Sequence, residues 1–258
     1  MLQKTLLVGI LISICSAVVG CILVLKRFSL IGHGLADISF AAIALALNLQ
    51  LPPTIVCIPV AILCSFLIIH LSQNGKMHGD ISIGVFSTGA LAVGAMISSM
   101  SKRFNTDIYS YMFGSVLAID DVDIAITITL SLIILVLFLI FYNRFFLITS
   151  DETFAKISGI NVMFYNFLIS FMTALTVVTG MRVVGTLLIS SLTIFPALIA
   201  KKISRNFKSL VFFSVIISSI CFILGMIISF SLNTPTGASI VIANILILCL
   251  VLIFEKKI

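Results

Sequence analysis

Tryptophan is absent from this 258-residue chain, and charged residues are scarce, at 9% of the total. Soluble domains average about a quarter charged residues, so this scarcity excludes a water-facing surface over most of the molecule. The six cysteines (Cys15, Cys21, Cys57, Cys64, Cys221, Cys249) all lie inside apolar runs and form no C-x-x-C pair. That favours small packing residues over thiolate ligands or disulfides. No G-x-x-x-x-G-K-[ST] occurs, so the chain is not itself a nucleotide-hydrolysing subunit. With no tryptophan, tyrosine and phenylalanine must supply any interfacial belt. The net charge of +6 is dispersed between apolar runs and forms no stripe, which argues against a nucleic-acid-binding face.

What the chain has in abundance is hydrophobicity, at 61% of residues. One membrane crossing takes about 20 predominantly apolar residues. Apolar runs fall at about 5–25, 35–50, 53–71, 81–100, 122–142, 160–180, 183–200, 209–231 and 236–254. They predict an all-α, polytopic membrane protein of about nine spans, with residues 1–258 forming one membrane domain. The first run follows Lys4 and is too long for the apolar core of a signal peptide. Between the fourth and fifth runs, Asp107 to Gly114 is apolar but too short to cross, and is expected to form a short interfacial or re-entrant helix. No soluble domain boundary, low-complexity tract or internal repeat stands out.

Lys and Arg near span ends set orientation. With the N-terminus outside and nine alternating spans, the inside segments hold Lys26, Arg27, Lys76, Arg144, Lys156, Lys201, Lys202, Arg205, Lys208, Lys256 and Lys257, which is 11 of the 15 positive residues. Lys4, Lys102, Arg103 and Arg182 make the 4 outside. The expectation is N-terminus outside, C-terminus in the cytoplasm.

Two stretches carry candidate chemistry. The first is His33-Gly-Leu-Ala-Asp37, at the start of the second run. A charged carboxylate at the centre of a spanning helix costs about 2.5–3.5 kcal/mol on insertion scales, so such residues face the protein interior and mark pathways. Four residues apart, the two side chains share one face of a helix that includes both. Imidazole with carboxylate suits zinc, and also manganese or iron. Two ligands are too few for a tight site, but a symmetric dimer would gather two histidines and two aspartates around its axis. The alternative is that His33 belongs to a loop and Asp37 merely caps the second helix.

The second stretch is the inside loop 143–160, with polar residues Thr149, Ser150, Asp151, Glu152 and Lys156. Asp151 or Ser150 can N-cap a short helix bearing Phe154, Ala155 and Ile157, with Gly159 as its stop. Such a helix is too small to stand alone, so it either docks on a partner or is an ordinary amphipathic connector. Pro196 should kink the seventh span and so shape a cavity, or serve packing alone. Pro235 and Asn233 sit at a turn before the last span. His70, His78 and Asp80 could line an inside ion-release point, although a solvated loop explains them as well.

The order of several motifs resembles the zinc/manganese/iron ABC permease family. Leu25-Lys-Arg-Phe-Ser-Leu-Ile-Gly32 is similar to that family's L-R-R-x-S-L-[IM]-G at the end of the first span. Asp80-Ile-Ser-Ile-Gly84 resembles D-x-x-I-G, and Ser110-Tyr-Met-Phe-Gly-Ser115 resembles the short Y-x-F-G segment. Asp151 to Ile160 resembles the loop that docks on the ATPase. Arg182-Val-Val-Gly185-Thr-Leu-Leu, Phe195-Pro196-Ala197 and Thr234-Pro235-Thr-Gly237-Ala follow in family order. At one place the chain departs: the family shows Asp followed four residues later by His, whereas here His33 precedes Asp37.

The resemblance implies a type II importer-like fold in the cytoplasmic (inner) cell membrane. It implies a homodimer that passes a divalent zinc, manganese or iron ion by His33 and Asp37 of both protomers. A separate ATPase would dock at Asp151, Glu152, Ala155 and Gly159, and an extracytoplasmic metal-binding protein would deliver the ion. Pro196 and Pro235 are the candidates for shaping the pathway. No permanently bound cofactor and no bond-making chemistry in this chain are implied. The rival readings are a permease for metal chelates such as siderophores or cobalamin, and a secondary antiporter with Asp37 as proton carrier. The antiporter predicts paired broken helices in two matching halves, which the sequence does not show.

Overall fold

The computed structural model describes residues 2–73, 79–100, 121–232 and 234–255. Within them the chain is helical, with no strand among the described residues. The helices are α1 (Leu2–Leu25), α2 (Ile31–Asn48), α3 (Pro53–Gln73), α4 (Gly79–Met100), α5 (Asp121–Ser150), α6 (Glu152–Ile157), α7 (Val162–Val184), α8 (Thr186–Ile203), α9 (Phe207–Leu232) and α10 (Thr236–Glu255). Each of the nine predicted runs coincides with a long helix. Among the described residues, eight helices are long and apolar enough to cross a membrane. α8 carries Pro196 in its interior and Lys201 and Lys202 in its last turn. The predicted short segment 107–114, His78 and Asn233 lie outside the described residues.

Helix ends differ from the apolar runs in two instructive places. α2 begins at Ile31, four residues before its run, because α1 ends in a tight turn that leads straight into helix. Phe28 N–H bonds the Leu23 carbonyl at 2.9 Å and Arg27 N–H bonds that of Val24 at 3.4 Å. Arg27 takes the left-handed φ of 62° that this six-to-one closure demands. α5 outlasts its run by two turns, to Ser150. Phe145 and Ile148 there are buried, and Ile148 packs with Ala155, Ile160 and Val162. Burial on one side sustains a helix after mean hydropathy has fallen.

α1 is the hub, packed by α5, α7, α8 and α9, while α8, α9 and α10 pack on one another and α3 lies against α7. Its core includes Ile12, Ile22, Met172, Leu192 and Phe222. Between apolar helices in lipid the attraction comes from close packing and hydrogen bonds. Hydroxyls supply the latter: Ser218 Oγ donates to the Ser13 carbonyl at 2.9 Å, tying α9 to α1. Along buried α7, Ser170, Thr173, Thr176 and Thr179 each donate to the carbonyl four residues back, which satisfies them without a partner helix.

Several contacts gather helix ends on one face of the bundle. Lys26, just past α1, reaches Glu152 of α6 and Asn166 of α7. A Cβ added to Gly79 at the start of α4 would lie 3.0 Å from the Phe28 ring. Tyr142 and Phe146 of α5 meet Phe207 at the start of α9, with ring centroids 5.2 and 5.3 Å apart. Exposed Arg27, Arg144, Lys156 and Lys208 lie on the segments that meet there.

Candidate ion pathway and coupling helix

Both His33 and Asp37 fall inside α2, as its third and seventh residues. His33 is not a loop residue, and Asp37 is not a cap: the N-cap position is Leu30, with no side-chain cap bond. The pair therefore shares one helical face, its members separated by about 6 Å along the axis at about 1.5 Å per residue. His33 is exposed and Asp37 half-buried in a helix whose other side chains are mostly buried.

Asp37 has a partner that sequence spacing does not reveal. Ser87 Oγ on α4 donates a hydrogen bond to Asp37 Oδ2. The contact depends on a close approach of the two helices. A Cβ on Gly34 would lie 2.8 Å from Ile83, and one on Gly94 would lie 2.8 Å from the Phe40 ring. With no side chain at either position, α4 comes near enough for its hydroxyl to reach the carboxylate. Ser87 orients Asp37 and occupies one of its lone pairs while leaving others available, as outer-shell donors to ligating carboxylates do. Among the described residues, no three of His, Cys, Asp or Glu cluster to hold a metal within one protomer.

The predicted short helix of the inside loop forms as α6. Asp151, not Ser150, is its N-cap: Oδ1 accepts from the N–H groups of Thr153 at 2.8 Å and Phe154 at 3.0 Å. Gly159 ends it with φ 77°. Its N–H bonds the Lys156 carbonyl, and Ile160 N–H bonds that of Ala155, both at 3.1 Å. A Cβ there would meet nothing within 4 Å, so glycine is demanded by backbone conformation and not by space. Ala155 is fully buried and fixes the helix to its neighbours. Phe154 and Ile157, 56% and 81% exposed, project from α6, and large apolar side chains displayed together mark a contact surface. Glu152 turns the other way, inward to Lys26 at 3.7 Å and along the helix to Lys156 at 3.5 Å.

The remaining candidates are more dispersed. Pro196 is buried within α8. Pro235 is exposed immediately before α10, its carbonyl accepting from Ser239 N–H at 3.2 Å. His70 stacks on Phe66 at 5.6 Å, and Asp80 is exposed in the first turn of α4.

Comparison with known proteins agrees with this architecture. The chain is 30% identical over 246 residues to the manganese import system permease protein ScaB of Streptococcus gordonii, covering 95% of this chain and 88% of that one. It is 29% identical over 256 residues to the high-affinity zinc uptake system membrane protein ZnuB of Haemophilus influenzae, covering 99% and 98%. The solved structure of PsaBC from Streptococcus pneumoniae in complex with Fab superposes with a TM-score of 0.85 at 32% identity, covering 97% of this chain and 90% of that chain. The model of the ABC 3 transport family matches residues 1–255. With the match spanning nearly the whole chain, this protein belongs to the ABC 3 transport family.

Proposed function

We propose that this protein is the membrane permease subunit of an ATP-driven importer of a divalent metal ion, zinc, manganese or iron, and that two copies form the translocation path. The observation that carries the reading is the Asp37–Ser87 contact beside exposed His33. A carboxylate and an imidazole stand on one face of a membrane-spanning helix, and the carboxylate is oriented from a second helix but not enclosed. Left against lipid, a charged carboxylate at the centre of a span costs about 2.5–3.5 kcal/mol. A second protomer or an aqueous path must cover the pair. One protomer offers two ligands, and a dimer offers four, enough for a borderline cation. With His33 before Asp37, each ligand type stands about 6 Å from its usual family place, which bears on metal preference.

ATP hydrolysis belongs to a separate ATPase that docks on α6 through Phe154 and Ile157, and an extracytoplasmic binding protein delivers the ion. The permease lies in the cytoplasmic membrane with the basic face of the bundle inside. The exposed apolar side chains of α6 support the docking, and an antiporter would have no use for them. Thiol labelling tests the orientation: a cysteine placed beside Lys202 should stay unlabelled by an impermeant external reagent in intact cells, and labelling would reverse it.

Uptake of zinc, manganese and iron into vesicles holding permease, ATPase and binding protein tests the pathway. Asp37→Asn, normalised to protein in the membrane, should lose most transport of the preferred metal, since it removes the charge and preserves shape. Wild-type uptake of every metal would overturn the reading.

A further inference from the structure

The α1–α2 turn holds a charged group that the pathway does not use. The Lys26 side chain is only 5% exposed. Its ammonium donates to Asn166 Oδ1 on α7 and pairs with Glu152 Oε2 on α6 at 3.7 Å. A lysine is almost never fully buried unless paired, and leaving one partner of a buried pair alone is strongly unfavourable. Lys26 is therefore fastened to the docking helix, and it moves with it or pulls it back.

From Lys26 two short routes lead to the ion pair. Along the chain, Arg27 is locked in its left-handed turn and Phe28 is buried. α2 begins three residues later, with His33 N–H bonded to the Leu30 carbonyl at 3.1 Å. Through space, Phe28 abuts Gly79 at the start of α4, the helix that brings Ser87 to Asp37. Both helices that build the site are thus anchored on the turn that Lys26 holds.

On the reading proposed above, we infer that Lys26 is a positioning residue for transport: through Glu152 and Asn166 it ties the ATPase-docking helix to the turn that leads into α2, the helix carrying His33 and Asp37. Displacement of α6 is delivered to the ion site by this link. Glu152 accordingly acts as an internal tie and not as a contact for the ATPase.

The test is made on the assembled transporter in vesicles, measuring metal uptake, ATP hydrolysis and retention of the ATPase on the permease. Lys26→Gln keeps a donor for Asn166 and removes the charge. Glu152→Gln reaches the same link from a partly exposed position, should Lys26→Gln fail to insert. Either should retain the ATPase and its hydrolysis while metal moved per ATP falls roughly two- to thirty-fold, the range of coupling changes for residues lying between two sites. Lys26→Arg should recover part of the loss.

The wild-type ratio should also depend on pH. Burial lowers the Lys26 ammonium from 10.5 to about 8, opposed by Glu152 and reinforced by Lys156. The charge that grips Glu152 is present at neutral pH and lost as pH rises through about 8. Across that window, up to 10.5, the unfolded chain retains a proton the folded one has shed, so this group raises stability with pH. Loss of coupling there would not be unfolding caused by Lys26. The Lys26→Gln ratio should lack this alkaline fall. Unchanged metal moved per ATP in both variants overturns the inference, and if Asp37→Asn still abolishes uptake, the pathway reading stands without it. If Asp37→Asn is silent and Lys26→Gln uncouples, the link stands and the pathway lies elsewhere. Loss of ATPase retention in Glu152→Gln would make Glu152 a docking residue and also overturn the inference.

Discussion

Asp37 and Lys26 stand eleven positions apart in the chain and have been solved in opposite ways. Asp37 lies inside a membrane-spanning helix, yet it is half-exposed and held by one neutral donor, Ser87. Lys26 lies at the end of a helix, where water is near, yet it is almost wholly enclosed by an acid and an amide. Depth in the membrane would predict the reverse. A charge in the apolar zone that remains open has room for a cation. A charge at the membrane face that is closed off has none, and what it can do is fasten helices. On the function proposed above, the contrast separates cargo handling from mechanics within one segment of chain.

Removing Ser87 attacks the open half of that contrast. Ser87→Ala should lower apparent metal affinity about 10- to 100-fold, the usual effect of losing an outer-shell partner. Metal moved per ATP at saturating metal should change little. Ser87→Thr, which keeps the hydroxyl, should recover part of the affinity. Uptake measured against metal concentration separates the two parameters, and an unchanged half-saturation point in Ser87→Ala would make the bond to Asp37 incidental.

The closed half is probed more gently through the ends of α6. Gly159→Val puts a β-branched side chain at φ 77°, which costs on the order of 1–3 kcal/mol of local strain with open space at its Cβ. It should loosen α6 and weaken ATPase retention more than metal affinity. Asp151→Ala loses a cap worth about 1 kcal/mol, whereas Asp151→Asn caps equally well and should be nearly silent. Retention of the ATPase on purified permease reads all three. A strong effect of Asp151→Asn would mean that the carboxylate charge itself contacts the partner.

Much of this architecture was legible from sequence because its signals are local. Nine apolar runs each became a long helix, since backbone groups in lipid must bond within their own segment. Asp151 and Gly159 were readable because a cap and a left-handed stop act within a few residues of themselves. The boundaries of α2 and α5 were less legible: hydropathy marks where lipid begins, while turn closure at Arg27 and burial of Phe145 and Ile148 decide where the helix does. Pro235, a candidate for shaping the pathway, sits exposed immediately before α10.

The sequence by itself determined the membrane class, the family, the charge bias of the loops and the spacing that puts His33 and Asp37 on one face. These are properties of composition and of short-range helical geometry. Only the tertiary structure decided that Asp37 is a helix-interior carboxylate oriented by Ser87, fifty residues away, and that Glu152 faces Lys26. Both contacts are made by side chains from helices distant in the chain. Their approach depends on close packing, of α4 on α2 at Gly34 and Gly94 and of α6 against α5 and α7 around Ala155, and no periodicity within a single helix encodes it.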